Sequence, residues 1–285
     1  MGFERGVFAP FGSRYVIRKK GVIETESTSC SACHTRLMPD NTLLEGAQGS
    51  FPDGVFTDFS PGPQSNPGIL DFLWLNFGAP WIQPRESFEQ SMMAIGHADQ
   101  YAGVLSRQGT SALHPPHIPS LIGVQDIKYL DATGLVRHRS IGDLMRYAAL
   151  NTGLDTLAKY GDFQPAANFT SSGFGAEDGI RYSDEQLYAL ALYIYSLKPP
   201  PNPNPVDARS RRGEQIFRRE GCAGCHTPPL YTSNKLTPVT SFRRWRRRRG
   251  AGFYMVPSLR GVWFRNGFSH GGYADTLEEG RYRWR

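Results

Sequence analysis

Long apolar runs are missing from this chain. The longest, residues 187–197, contains three tyrosines and falls short of the roughly 18–20 apolar residues that cross a bilayer. The opening residues, Met1-Gly2-Phe3-Glu4-Arg5-Gly6, show no charged segment leading into an apolar one, so no secretory leader is read there. Evenly spread positive charge is missing too. The net charge of +6 resides in Arg243, Arg244, Arg246, Arg247, Arg248 and Arg249, and without these six the basic and acidic residues are equal in number. A nucleic-acid groove would need Lys and Arg distributed over a face, so no nucleic-acid partner is expected. The arginine cluster reads as a solvated basic loop or as a dock for an acidic partner.

Disorder is excluded by 39% hydrophobic, 12% aromatic and only 20% charged residues, the material of a globular protein. A length of 285 residues accommodates two domains at about 100–200 residues each. With 31 glycines and 21 prolines, long loops are expected to wrap something.

Cysteine is scarce, and its placement is the most informative feature. All four cysteines fall in two copies of one pattern, Cys30-Ser31-Ala32-Cys33-His34 and Cys222-Ala223-Gly224-Cys225-His226. C-x-x-C-H is the c-type haem attachment motif. Thiols three positions apart lie on one turn and can each bond a haem vinyl group, and the next residue brings its imidazole under the iron. A zinc ribbon would place its second pair roughly 15–20 residues after the first, whereas here 188 residues separate Cys222 from His34. A thioredoxin-like pair would need a βαβ setting, but residues 213–221 read as a short amphipathic helix ending at Gly221. Two covalent c-type haems are therefore expected, with Cys30, Cys33, Cys222 and Cys225 as attachment points and His34 and His226 as iron ligands.

Two further helices are signalled. Ser140 heads an apolar face at 141, 144, 145 and 148, with Gly153 as a stop. Ser183-Asp184-Glu185-Gln186 is a capping box opening residues 187–197. Prolines at 199, 200, 201, 203 and 205 then favour an extended spacer. Residues 1–29 suggest one short strand or an extended arm, and 39–84 read as long loops with one short helix near 69–77. The predicted fold is mostly α, with two cytochrome c-like haem domains and long loops. Residues 1–198 form the N-terminal domain with haem one, 199–206 a Pro-rich linker, and 207–285 the C-terminal domain with haem two. A buried porphyrin would make good the small core of an 80-residue unit.

The string Gly221-Cys222-Ala223-Gly224-Cys225-His226-Thr227-Pro228-Pro229-Leu230-Tyr231, followed by Val256-Pro257-Ser258-Leu259-Arg260-Gly261-Val262-Trp263 and Phe268-Ser269-His270-Gly271-Gly272, resembles the bacterial di-haem cytochrome c peroxidase superfamily, which also includes di-haem tryptophan-oxidising enzymes and rubber oxygenases. Residues 129–140 look most like its larger branches. The resemblance is specific over 207–279 and looser over 25–200. It implies a peroxidase-like oxidoreductase in which electrons from a small redox protein enter at the C-terminal haem and reduce peroxide at the N-terminal haem.

On that reading His97 and His138 are candidate distal ligands or acid–base groups at haem one, weighed against ordinary structural histidines. His114 and His117, spaced by prolines, read as a loop. His270, in a block where the family has Asp after the His and this chain has Gly271, is a candidate metal ligand. Met38, Met92, Met93 and Met145 read as core filler, and Trp74, Trp81 and Trp263 as packing rather than electron relays. The family normally continues well beyond this block, whereas here 15 residues follow His270, so the C-terminal domain is expected to be truncated. Calcium between the domains is left open. Haem attachment to C-x-x-C-H takes place outside the cytoplasm, so a periplasmic or extracellular location is expected. Two other readings stand beside the peroxidase: a dioxygenase of the rubber-oxygenase type, with residues 40–84 lining an apolar channel to dioxygen, and a non-catalytic di-haem electron carrier.

Overall fold

The computed structural model describes residues 14–26, 30–49, 70, 74, 84–93, 117–134, 136–152, 182–238, 253–265, 267–268 and 274–282. Over these the chain is mostly helical, with a few short strands. No helix among the described residues is long and apolar enough to cross a membrane.

The first described segment is a hairpin rather than a single strand. β1 (Arg14–Lys19) pairs antiparallel with β2 (Val22–Glu26), Arg14 opposite Glu26 and Lys19 opposite Val22. The chain reverses through Gly21 at φ 83, a left-handed conformation that costs glycine nothing. A one-turn helix, α1 (Cys30–Cys33), leads into β3 (Thr35–Leu37), which pairs with β4 (Leu43–Glu45). Asp40 closes this second hairpin, its Oδ1 accepting from Thr42 N at 3.0 Å and Thr42 Oγ1 at 2.6 Å. The loop expected from residue 39 onward thus begins with a strand. α2 (Arg85–Met93) follows, and its Phe88 packs edge-on against the buried Trp74, ring centroids 5.3 Å apart.

The core is built on α3 (Ile141–Thr152) and α4 (Asp184–Ser196). Leu144, Ala191 and Ile194 are buried against Val124 and Leu130, and Ile141, Met145, Tyr195 and Leu197 pack around them. Burial of each large apolar side chain contributes about 1.5–3 kcal/mol. Of the apolar positions foreseen on α3, 141, 144 and 145 face this core. The capping box on α4 forms as the sequence indicates: Ser183 Oγ accepts from Gln186 N at 3.2 Å, and Ser183 N donates to Gln186 Oε1 at 3.0 Å. Residues 197–206 then run without regular structure, mostly exposed.

α5 (Ala208–Arg219) starts before the predicted position 213, because Asp207 caps it by accepting from Ser210 N at 2.9 Å. None of its residues is buried. Gly221, at φ 75, turns the chain into a tight 3₁₀ turn over Cys222–Gly224. β5 (Leu236–Pro238) pairs with β6 (Phe253–Met255), a second 3₁₀ turn spans Val262–Phe264, and α6 (Leu277–Tyr282) is the last element.

Residues after the proline-rich segment lie against those before it. Asn234 Nδ2 donates to Asp126 O at 2.9 Å, and its Oδ1 accepts from Lys128 N at 3.0 Å. Met255 N donates to Ala132 O at 2.8 Å, and Arg260 pairs with Asp126 at 2.6 Å.

Candidate functional site

The two C-x-x-C-H segments adopt nearly the same local structure. In each, the histidine backbone N–H closes a turn onto the carbonyl of the first cysteine, His34 to Cys30 at 2.9 Å and His226 to Cys222 at 2.9 Å. This places both sulfurs of a pair on one turn with the imidazole following directly. None of the four cysteines is in a disulfide. Burial, and then the neighbouring Cys30, push the Cys33 thiol up to about 11.

The imidazoles are held in the same way. His34 Nδ1 lies 3.0 Å from Pro119 O, and His226 Nδ1 lies 3.1 Å from Tyr231 O. A carbonyl oxygen only accepts, so each Nδ1 carries the proton and donates. In the neutral ring this leaves the lone pair on Nε2, the arrangement in which a histidine ligates a metal and is oriented from behind. Burial lowers the His34 pKa to about 4, with the Pro119 carbonyl opposing, so this imidazole stays neutral at pH 7.

Local backbone explains how the acceptors are positioned. At the second site Tyr231 has φ 52, an outlier for a bulky residue that costs about 1–3 kcal/mol; its carbonyl accepts from His226 Nδ1 and from Leu259 N at 3.2 Å. At the first site residues 46–49 clamp the motif. Gly46 N donates to His34 O at 2.7 Å, Gly49 N to Cys33 O at 2.9 Å, and Leu121 N to Gly46 O at 2.7 Å, which ties the Pro119 segment to the motif. A Cβ on Gly49 would meet Cys33 O at 2.5 Å and Thr35 O at 2.8 Å, so only glycine fits.

Beside the second motif lies a cavity of about 450 Å³ lined by Val206, Gly213, Phe217, Tyr231, Leu259 and Arg260. Phe217, on α5, stands 6.4 Å from the His226 ring centroid. The amphipathic helix that buries nothing thus borders the cavity next to the second histidine. A third feature links the C-terminal segment to the first motif: Arg36 Nη1 donates to Phe264 O, and Gln48 Nε2 donates to Gly267 O at 3.3 Å. The adjacent Arg265 has a buried Nε with no hydrogen-bond partner among the described residues, and burial lowers the pKa of both Arg36 and Arg265.

Of the other sequence-predicted residues, His138 engages both ring nitrogens within the protein: Nδ1 lies 2.9 Å from Ile127 O and Nε2 2.5 Å from the Tyr195 hydroxyl. His97, His270, His114, Trp81 and the arginines at 243–249 lie outside the described residues, as does most of 40–84. Met145 packs on the core, and Trp263 meets Phe264 edge-on at 5.3 Å. Among the described residues no three His, Cys, Asp or Glu side chains converge to hold a metal ion by themselves. Sequence reasoning missed Pro119 and Tyr231, because they act through backbone carbonyls that no side-chain pattern marks. Arg265 was missed as well, since only burial distinguishes it from other arginines.

The site residues fit a c-type haem on two counts. Thiols and imidazole are ordered as thioether attachment requires, and the stranded Arg265 Nε suits a carboxylate such as haem carries. No protein-family model matches the chain, and no curated protein does. Among solved structures the chain is similar to a chain of Kuenenia stuttgartiensis hydrazine synthase pressurized with xenon, at 17% identity and a TM-score of 0.36, covering 57% of this chain and 62% of that one, below the level that defines a shared fold.

Proposed function

We propose that the chain is a di-haem c-type oxidoreductase acting outside the cytoplasm, in which electrons from a small redox protein enter at the His226 centre and reduce peroxide at the His34 centre. The observation that carries this reading is the repeated arrangement of an imidazole, directly after a C-x-x-C turn, with Nδ1 held by a backbone carbonyl. Two chance C-x-x-C-H strings would not both acquire it.

Cys30, Cys33, Cys222 and Cys225 would supply the thioether sulfurs, and His34 and His226 the axial Nε2. When bound, haem supplies one-electron chemistry at an iron whose potential its axial ligands set over about 0.8 V. The chain's own contribution is to orient the imidazoles through the Pro119 and Tyr231 carbonyls. Arg265 offers a buried positive charge to a carboxylate, and the Cys33 surroundings keep water from one side of the motif. His97 stays as a candidate distal residue at the first centre and His270 as a candidate metal ligand.

Optical spectra of the mature protein test the activity. One high-spin, five-coordinate iron that binds cyanide and turns over peroxide in the half-reduced state is expected. Two six-coordinate, low-spin irons in every redox state would contradict a peroxidase and identify an electron carrier.

A further inference from the structure

We propose that Tyr195 and His138 form a redox-active pair, in which the phenol of Tyr195 gives one electron to a one-electron oxidant while its proton passes to Nε2 of His138. The identity of that oxidant, an oxidised haem iron, rests on the di-haem reading; the pair itself does not.

Three observations on the page carry it. The Tyr195 hydroxyl is 2.5 Å from His138 Nε2, and His138 Nδ1 is 2.9 Å from Ile127 O. Because Ile127 O only accepts, Nδ1 donates to it, which in the neutral tautomer leaves Nε2 to accept from the phenol. Tyr195 is partly buried and packs against the Val124, Leu130, Leu144, Ala191 and Ile194 core, which holds the phenol in place beside the imidazole. Burial, with the Asp143 charge adding to it, raises the Tyr195 pKa. Prior loss of the proton to water is therefore disfavoured, and the electron leaves together with a proton transfer to the partner base.

The balance is simple. The Oη–H bond of Tyr195 breaks and an Nε2–H bond forms on His138; one electron leaves the phenol and reduces the oxidant. The products are a neutral phenoxyl and an imidazolium whose Nδ1–H still donates to Ile127 O. Return of one electron sends the proton back. The pair is also placed near the first motif: two residues beyond Tyr195, Leu197 Cδ1 crowds Gly46, whose N–H is bonded to His34 O. Tyr193, by contrast, donates to Glu45 Oε2 at 2.6 Å and is exposed.

The test is electron paramagnetic resonance of the full chain after oxidation by flash-generated tris(bipyridyl)ruthenium(III), and separately by peroxide. A neutral tyrosyl radical is expected, unchanged in Tyr188→Phe, absent in Tyr195→Phe and at least about tenfold weaker in His138→Gly, with recovery on adding imidazole. In the wild type after exchange into D₂O, a deuteron coupled to the radical is expected from the His138 side of the bond. A wild-type signal in Tyr195→Phe, an undiminished one in His138→Gly, or no coupled deuteron in the wild type overturns the proposal; the last holds even where a variant fails to fold. A Tyr195 radical obtained with ruthenium in protein that binds no haem supports the pair and overturns the di-haem reading alone.

Discussion

Asp143 is a carboxylate placed inside the first turn of α3, its side chain only 7% exposed. It survives there because Arg139 Nη2 donates to Oδ1 at 2.9 Å and Arg139 N to Oδ2 at 2.8 Å. The Arg139 side-chain bond is the chief cause of a pKa lowered from 3.8 to about 2. A folded-state pKa below the unfolded one means that the carboxylate stabilises the fold above about pH 4 and that this contribution disappears as the pH falls toward 2. Asp143→Asn is expected to cost about 1.5–3 kcal/mol at pH 7, with the gap to wild type closing between pH 4 and 2 in denaturant titrations. Gly49 gives a second expectation at this scale. Gly49→Ala would drive a methyl into Cys33 O and Thr35 O, an overpacking of about 1–3 kcal/mol that falls on the first motif. Its haem-to-protein ratio, read from a pyridine haemochrome spectrum, is expected to drop from two toward one.

At the residue scale, the sequence revealed side-chain chemistry and concealed backbone chemistry. The thiols and imidazoles of both motifs could be read from order alone, since their spacing is local. The carbonyls that hold the imidazoles could not. Pro119 lies 85 positions from His34, and Tyr231 acts through a positive φ that a tyrosine does not advertise. His138 was singled out for its chemistry, but its pairing with Tyr195 spans 57 positions and depends on the packing of α4.

Elements were legible where their start signals are local. Ser183 and Gln186 marked α4 because a capping box lies within four consecutive residues. The start of α5 was misjudged because the apolar pattern is clearest from 213 onward, whereas the cap is Asp207. Asp207→Ala is expected to cost about 1 kcal/mol and to fray the N-terminal turn of α5, measurable as faster amide exchange over 208–211. The β1–β2 and β3–β4 hairpins were underestimated because short strands depend on their partners more than on propensity.

Asn234 shows what an element-level reading leaves out. One buried amide satisfies both Asp126 O and Lys128 N, and its φ of 54 is one that Asn tolerates better than most residues. Asn234→Ala strands the Lys128 N–H and is expected to cost about 1–3 kcal/mol. Asn234→Asp, which keeps the acceptor for Lys128 but turns a buried carboxylate oxygen onto the Asp126 carbonyl, should lose at least as much at neutral pH in equilibrium unfolding.

For the whole molecule, the segment at 199–206 separates two stretches of sequence that each carry one motif, yet the bonds from Arg36, Gln48, Asn234, Met255 and Arg260 tie these stretches together. Composition foresaw a loop-rich, mostly helical chain; it could not foresee which loops meet, because such contacts join residues more than 100 positions apart.

The central claim is that each C-x-x-C-H segment carries a covalently attached iron porphyrin. Intact-mass measurement, with haem staining, of protein exported through a haem-maturation-competent host tests it most directly. Two added porphyrin masses are expected in the wild type and one in the Cys30→Ala/Cys33→Ala variant. Colourless wild-type protein at the bare polypeptide mass would contradict the account.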